Sequence, residues 1–101
     1  MSVRLTEKEF SQHLGTKFRV KLETQQIDLE LVEVEGYVSK PNEQTGLERF
    51  SVFFSGPSEV SLPQGTYHLE HERMGEFEIF IVPIARNEKG FRYEAVFNYS
   101  K

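Results

Sequence analysis

Histidine and glutamate side chains are concentrated in one short segment, residues 68–72, which reads His-Leu-Glu-His-Glu. Imidazole and carboxylate groups bind zinc and act in acid–base catalysis. If this segment is a β-strand, alternation places His68, Glu70 and Glu72 on one face, while His71 lies on the other. A zinc site needs three converging ligands, and no third histidine is placed to help. We therefore predict a polar row that binds no metal, with His71 near the rim of the core.

Four carboxylates also occur at close spacing upstream, at Asp28, Glu30, Glu33 and Glu35. They lack the dense Asp, Asn and Gly loop that calcium and magnesium sites usually require. If residues 17–24 and 27–38 form a hairpin, Lys21 lies opposite Glu30, and Arg19 falls near Glu33 beyond a bulge. We predict cross-strand ion pairs at these positions and no cation site.

Nucleophilic catalysis has no support in the sequence. The chain contains no cysteine and no Gly-x-Ser-x-Gly elbow, and Ser55, Ser58 and Ser61 lie among turn-forming residues. The glycines are scattered singly, without a phosphate loop or a dinucleotide-binding pattern. We therefore expect a protein with no enzymatic activity, no catalytic residues and no cofactor.

Composition and charge limit the remaining classes of function. The chain carries 12 Lys and Arg against 16 Asp and Glu, and these charges are interspersed, so it lacks the basic stripe that binds nucleic acid. No stretch approaches the roughly 20 apolar residues that cross a bilayer, and the first residues lack the apolar core of a signal peptide. With no cysteine present, these features predict a soluble cytoplasmic protein without a membrane or nucleic-acid partner.

The first element that must position these groups is a short helix at about 6–14. A capping box starts at Thr6, and Gly15 supplies the left-handed stop. Because so short a helix is marginal alone, we expect it to dock on something larger through Phe10 and Leu14.

Apolar residues alternate with polar ones over six further segments, predicted to be strands at about 17–24, 27–38, 49–55, 66–72, 76–85 and 91–99. In the second segment the alternation slips by one at Leu31 and Val32, which is typical of a β-bulge. Residues 39–48 have turn-forming residues without periodicity and are predicted to be an exposed loop. The predicted fold is mostly β: one domain over residues 1–101, a small antiparallel six-stranded barrel or sandwich with one short N-terminal α-helix.

The turn between the fourth and fifth strands leaves two registers open. A three-residue loop at 73–75, with Gly75 in the left-handed position, fits the first register. In that register Tyr67, Leu69 and His71 face Phe77, Ile79 and Ile81. A two-residue loop at Met74 and Gly75 pairs His71 with Glu78 instead.

The fifth strand is apolar on both faces. One face carries Phe77, Ile79 and Ile81, and the other carries Phe80, Val82 and Ile84. We expect the N-terminal helix to cover the second face; otherwise that face meets another chain. Pro83 removes one ladder donor, which indicates a bend or an exposed edge.

Three stretches carry a resemblance to a known family: LPQGTYHLEH at 62–71, GEFEIFIVP at 75–83 and YEAVFN at 93–98. With similar motifs nearer the N-terminus, the likeness spans nearly the whole chain. On these motifs the chain resembles a family of small bacterial domains without an assigned function. The resemblance implies a stand-alone product, in some cases encoded beside phage-tail-collar-type proteins, and so an assembly or accessory role. It supplies no catalytic residues.

Our first hypothesis of function is a small interaction module that binds another protein or itself. It would use the second face of the fifth strand or the polar loops at 39–48 and 56–64. The candidate binding residues are Phe80, Val82, Ile84, Gln64, His68 and His71. The alternative is a small-ligand-binding β-barrel, in which Tyr67, Tyr93 and Phe97 line a cavity that has His71 at its mouth.

Overall fold

Six antiparallel strands close into a barrel in the computed structural model of this chain, which describes residues 5–36 and 47–100. The elements are α1 (Glu7–Ser11), β1 (Lys17–Lys21), β2 (Gln26–Gly36), β3 (Leu47–Gly56), β4 (Gly65–His71), β5 (Gly75–Asn87) and β6 (Gly90–Ser100). Their order around the barrel is β1-β2-β3-β6-β5-β4, and β4 pairs with β1 to close it. The predicted fold class is confirmed, and of the two architectures considered the barrel is correct.

Alternate side chains of every strand fill the interior of the barrel. The fully buried large residues include Phe18, Val20, Leu29, Leu31, Phe50, Val52, Phe54, Leu69, Ile81 and Tyr93. Burial of each such side chain stabilises the fold by roughly 1.5–3 kcal/mol relative to leaving it in water. The period-two pattern of the sequence thus marks the inward face of the strands, since the residues between these positions are mostly exposed or half-buried.

The helix α1 starts as the sequence predicts. The Oγ1 of Thr6 accepts a hydrogen bond from the backbone N–H of Glu9 at 3.1 Å, and Gly15 has a φ of 84°. The helix ends at Ser11, before the predicted end at residue 14. The expected docking contact through Leu14 is wrong, because that side chain is 49% exposed. No helix of the described residues has the length and apolar character to cross a membrane.

Phe10 carries α1 into one end of the barrel, next to β2 and β3. Its ring centroid lies 5.4 to 6.1 Å from those of Phe18, Phe50, Phe77 and Phe97. The expectation that this helix covers Phe80, Val82 and Ile84 is wrong. The reason is that its one fully buried large side chain points into the barrel interior and not onto an outer face.

Two irregularities bend the sheet near the positions that the sequence indicates. The register of β2 against β3 shifts between Leu31 and Glu33, and the extra residue, Val32, is 39% exposed. This is the predicted β-bulge. The register of β5 against β6 shifts between Pro83 and Ala85, which agrees with the bend predicted at Pro83.

The hairpin of β1 and β2 has a different register from the one predicted. The turn lies two residues earlier, at 23–24, since the N–H of Leu22 donates to the carbonyl of Gln25 at 2.9 Å, and β1 ends at residue 21 and not at 24. Arg19 therefore lies opposite Asp28. The predicted pairings of Lys21 with Glu30 and of Arg19 with Glu33 are wrong.

Both registers considered for the β4–β5 hairpin are also wrong. His71 lies opposite Gly75, and Leu69 lies opposite Phe77. Gly75 is the first residue of β5 and has a φ of 80°, so the turn consists of residues 72–74. This register differs by two residues from the first one considered, and a shift of two leaves every side chain on its predicted face.

The remaining strands are longer than predicted. β3 begins at Leu47, so the last two residues of the predicted loop belong to a strand, whereas residues 37–46 lie outside the described residues. β5 and β6 extend to Asn87 and Gly90, which face each other across a two-residue turn. Gly90 has a φ of 137°, and a Cβ there would collide with the carbonyl oxygen of Gly56.

Candidate functional site

His71, the first of the candidate polar residues, is buried at the end of β4 and tied into the backbone. Its Nδ1 accepts hydrogen bonds from the N–H groups of Arg73 and Met74, at 2.9 and 3.0 Å. Because Nδ1 is an acceptor, the ring proton lies on Nε2, which donates to the Oγ1 of Thr16 at 2.9 Å. That hydroxyl in turn donates to the carbonyl of His13 at 2.6 Å.

These contacts require His71 to be neutral. Burial lowers the pKa of its imidazole below the ordinary value, and the nearby His13 and Arg73 lower it further, against an opposite effect of Glu72. The His71 ring also packs on Phe18, with centroids 4.2 Å apart. His71 thus holds the β4–β5 turn to the segment after α1, and both of its ring nitrogens are occupied by these structural hydrogen bonds.

His68 lies on the outer face of β4, opposite in direction to His71, as strand alternation predicts. Its Nε2 is 2.8 Å from the Oε1 of Glu76, and Lys21 approaches both Glu70 and Glu76, at 2.9 and 3.4 Å. The hydrogen bonds from His68 and then Lys21 hold the pKa of the Glu76 carboxyl below its ordinary value, and those to Glu70 and Glu76 raise the pKa of Lys21. His68 is therefore hydrogen-bonded at the edge of an exposed cluster of ion pairs that Lys21 forms with Glu70 and Glu76.

Carboxylates of β2 also form ion pairs, with Lys and Arg side chains. Lys17 lies 3.3 Å from Glu30, Arg19 lies 3.6 Å from Asp28, and Arg92 of β6 pairs with Glu33. Ion pairs were predicted here in place of a cation site, and they exist with different partners. The register of the β1–β2 hairpin sets the partners of Glu30 and Asp28. The pair of Glu33 and Arg92 spans β3, which lies between β2 and β6 in the barrel.

The aromatic residues expected to line a ligand cavity pack against other side chains. The hydroxyl of Tyr93 accepts a hydrogen bond from the N–H of Leu62 at 2.9 Å, and that of Tyr67 donates to the carbonyl of Pro63 at 2.7 Å. Phe97 stacks on Phe50 with centroids 4.8 Å apart. These rings fill the interior and fasten the segment at 57–64 across one end of the barrel.

The candidate apolar residues of β5 are exposed on the outside of the barrel. Phe80 is 51% exposed and Ile84 is 44% exposed, while Val82 is half-buried. Val96 of β6 is 61% exposed and extends this apolar surface onto the neighbouring strand. Val82 lies opposite Glu94, and Phe80 and Val96 each lie two residues from that pair on the same outer face. We call Phe80, Val82, Ile84 and Val96 the outer apolar strip. Sequence reasoning missed Val96, although it interrupts a run of polar outward positions on the last strand.

Carboxylates border the strip. Glu78 precedes Phe80 by two residues on the same outward face of β5, and Glu94 lies opposite Val82. Neither carboxylate forms an ion pair within the described part of the chain, in contrast to the paired acids of β2 and β4. Gln64 is exposed in the loop before β4, one residue beyond the pair of Gly65 and Ile81. It therefore lies at the edge of the strip.

The strands β5 and β6 separate beside the strip. They pair from Val82 and Glu94 to Asn87 and Gly90. Within the described residues, the preceding part of β5 pairs only with β4, and β6 beyond Glu94 pairs only with β3. We call this gap between residues 75–81 and 95–100 the β5–β6 opening. Inside the barrel it is closed by Phe10, whose ring contacts Phe77 of β5 and Phe97 of β6.

Comparison with known proteins agrees with the expected membership of a domain family without an assigned function. No curated protein and no solved structure matches the chain. A family model described as a domain of unknown function (DUF6916) matches residues 5–97, which include the helix and nearly all of the barrel. The chain therefore belongs to the DUF6916 family.

Proposed function

We propose that this chain is a non-catalytic interaction module that binds another protein through the outer apolar strip. The observation that supports the proposal is the exposure of Phe80, Ile84 and Val96 together on two neighbouring strands. Fully burying one such side chain is worth roughly 1.5–3 kcal/mol, so a partner that covers the strip gains substantial binding energy.

The other candidate residues already have structural roles, which leaves the outer apolar strip as the better candidate for a binding surface. His71 and His68 already serve the turn and the surface ion pairs, and Tyr93 and Phe97 fill the interior. A strand whose outward positions only met water would be expected to alternate in polarity, as β1 does with Lys17, Arg19 and Lys21. The β5 strand departs from that pattern on its outer face.

We further propose that the partner is a structural component of a larger assembly. The resemblance noted in the sequence, which implies a phage-tail-like accessory role, is what supports this choice. The absence of cysteine supports a cytoplasmic location.

Matched substitutions test the proposal. Val96→Lys places a charge in the strip, and Val32→Lys makes the same change at the exposed bulge of β2. Both variants should keep the thermal unfolding midpoint of the native chain, because both side chains are exposed. Each chain is then used to capture proteins from the native cell, and the captured proteins are quantified by mass spectrometry. The captured candidates are purified and tested for direct binding.

A partner that binds the native chain and the Val32→Lys variant directly, but not the Val96→Lys variant, supports the proposal. Equal binding by all three chains contradicts it. Native mass spectrometry of the purified chain reports self-association or a retained small molecule in the same series. A reproducible added mass on a monomer would favour the ligand-binding alternative.

A further inference from the structure

We infer that the partner contributes an extended segment of alternating apolar and basic residues, which adds as a strand at the β5–β6 opening. This inference rests on the proposed function and specifies the chemistry of the partner. It follows from three features of the opening: its backbone edges, its side-chain surroundings and its charge.

The backbone edges at the opening are suited to strand addition. Residues 75–81 of β5 use one edge to pair with β4, and residues 95–100 of β6 use one edge to pair with β3. Their other edges face the opening and have no ladder partner in the described part of the chain. Natural sheets protect such edges with charged side chains, above all Lys, or with Pro or a bulge; residues 75–81 carry two glutamates but no Lys and no Pro, and the bulge at Pro83 lies beyond them. An extended segment can therefore form main-chain hydrogen bonds here.

The side chains around the opening provide apolar contacts for such a segment. Phe80 and Val96 lie on the outer face, each two residues from the last β5–β6 pair at Val82 and Glu94. On the inner side, the ring of Phe10 lies against those of both strands and closes the barrel. An added strand would thus cover exposed apolar groups without displacing the core.

The charge at the opening selects a basic segment. Glu78 and Glu94 border Phe80 and Val82, and neither carboxylate pairs with another described side chain. A strand with Lys or Arg at its outward positions supplies the missing counter-charges. A second copy of this chain fits less well, because a two-fold contact would bring the same carboxylates together in a chain of net charge −4.

The size of the surface agrees with a segment and not with a second globular subunit. A stable complex between globular proteins buries roughly 800 Å² on each partner. The strip offers three side chains that are about half-exposed. Strand addition compensates for a small apolar area because main-chain hydrogen bonds supply part of the affinity.

The test uses the full chain, labelled with ¹⁵N, and a set of capped eight-residue peptides. In the basic peptides, apolar residues (Val, Ile or Phe) alternate with Lys or Arg, and in the matched acidic peptides they alternate with Glu. We expect a basic peptide to bind at least about tenfold more tightly than its acidic counterpart. Its amide shift changes should be confined to residues 75–81 and 95–100, and N-methylation of alternate peptide amides should abolish binding.

Charge reversal provides the second arm. Glu78→Lys with Glu94→Lys should reverse the preference toward the acidic peptides. The control is Glu23→Lys with Glu59→Lys, which changes the net charge equally at exposed turn positions outside the opening and should leave the preference unchanged.

Failure to bind any basic peptide, equal binding of basic and acidic peptides, or shift changes away from the opening would overturn the inference. The proposed function would survive such a result if Val96→Lys still removed a protein partner. Loss of both the peptide and the partner effects would refute the two proposals together.

Discussion

The Oγ1 of Thr16 lies 2.9 Å from the Nε2 of His71, across 55 residues of sequence. This hydrogen bond joins the segment after α1 to the β4–β5 turn. Because His71 Nδ1 accepts from two backbone N–H groups, the bond to Thr16 fixes the neutral tautomer of the ring. The segment after α1 is therefore held to this turn through one buried, neutral histidine.

Acid should weaken the fold through His71. Its pKa is lowered in the folded state, so the unfolded chain binds more protons between the ordinary value of 6.5 and the lower folded value. The free energy of unfolding should consequently fall as the pH decreases through and below 6.5, and it should be fully recovered above that range. Urea denaturation between pH 5 and 8 measures this, since the shifted Glu76 and Lys21 titrate outside that window.

The substitution His71→Asn supplies the control for that experiment. Its side-chain oxygen can accept from the turn N–H groups but does not titrate, so the pH dependence should flatten. An unchanged dependence in the His71→Asn variant would show that another group is responsible.

Removing the hydroxyl of Thr16 should destabilise the protein. Thr16→Val keeps the shape of the side chain but leaves the Nε2–H of His71 without its acceptor, at an expected loss of about 1–3 kcal/mol. Thr16→Ser retains the hydroxyl and should lose less. Both values come from urea denaturation at pH 7.5, where His71 is neutral in either state. Equal losses in the two variants would argue against a role for the hydrogen bond.

Phe10 should be the most sensitive position of the helix. Phe10→Ala leaves a cavity among four aromatic rings and should lower the free energy of unfolding by about 3–5 kcal/mol. Leu14→Ala, at the exposed position four residues later, should change it by less than about 0.5 kcal/mol. Thermal or chemical denaturation of the two variants compares them directly. Similar effects at both positions would be inconsistent with the insertion of Phe10 into the barrel.

Gly90 should tolerate no side chain. Gly90→Ala places a Cβ against the carbonyl oxygen of Gly56 at a φ of 137°, and we expect a loss of about 3 kcal/mol or more. Gly15→Ala has the strained φ of 84° but no atom within 4 Å of the new Cβ, so its loss should be nearer 1 kcal/mol. The comparison of their unfolding free energies separates steric collision from backbone strain. A Gly90→Ala variant as stable as Gly15→Ala would refute the collision.

Local patterns predicted much of this fold because they depend on neighbouring residues. The cap at Thr6 and the bulge at Leu31 and Val32 could be read from the sequence, since a cap needs one side-chain acceptor and a bulge shifts the alternation by one. The β4–β5 register could not be read in the same way. A shift of two residues keeps every side chain on its face, so alternation cannot distinguish Phe77 from Ile79 as the partner of Leu69.

The candidate site was predictable only in part. The apolar outer face of β5 was evident from Phe80, Val82 and Ile84, but the residue that covers or extends it depends on tertiary packing. The helix was expected there and instead inserts Phe10 into the barrel, while Val96 joins the strip from another strand. His71 was a candidate binding residue because its hydrogen-bond partners, the donating turn N–H groups and the accepting hydroxyl of Thr16, are invisible in a sequence.

The closure of the barrel by β1 and β4 sets the order in which the chain can fold. The β1–β2, β4–β5 and β5–β6 hairpins join strands that are adjacent in sequence, whereas Val20 must find Leu69 across about half of the chain, and β3 must find β6 over a similar separation. Loop-closure entropy makes such distant pairings slow, so the hairpins should form first and the cylinder should seal last. Until it seals, Phe10 lacks part of its ring of aromatic neighbours, so we expect the newly made chain to pass through a stage in which its aromatic interior is open to solvent and to chaperones.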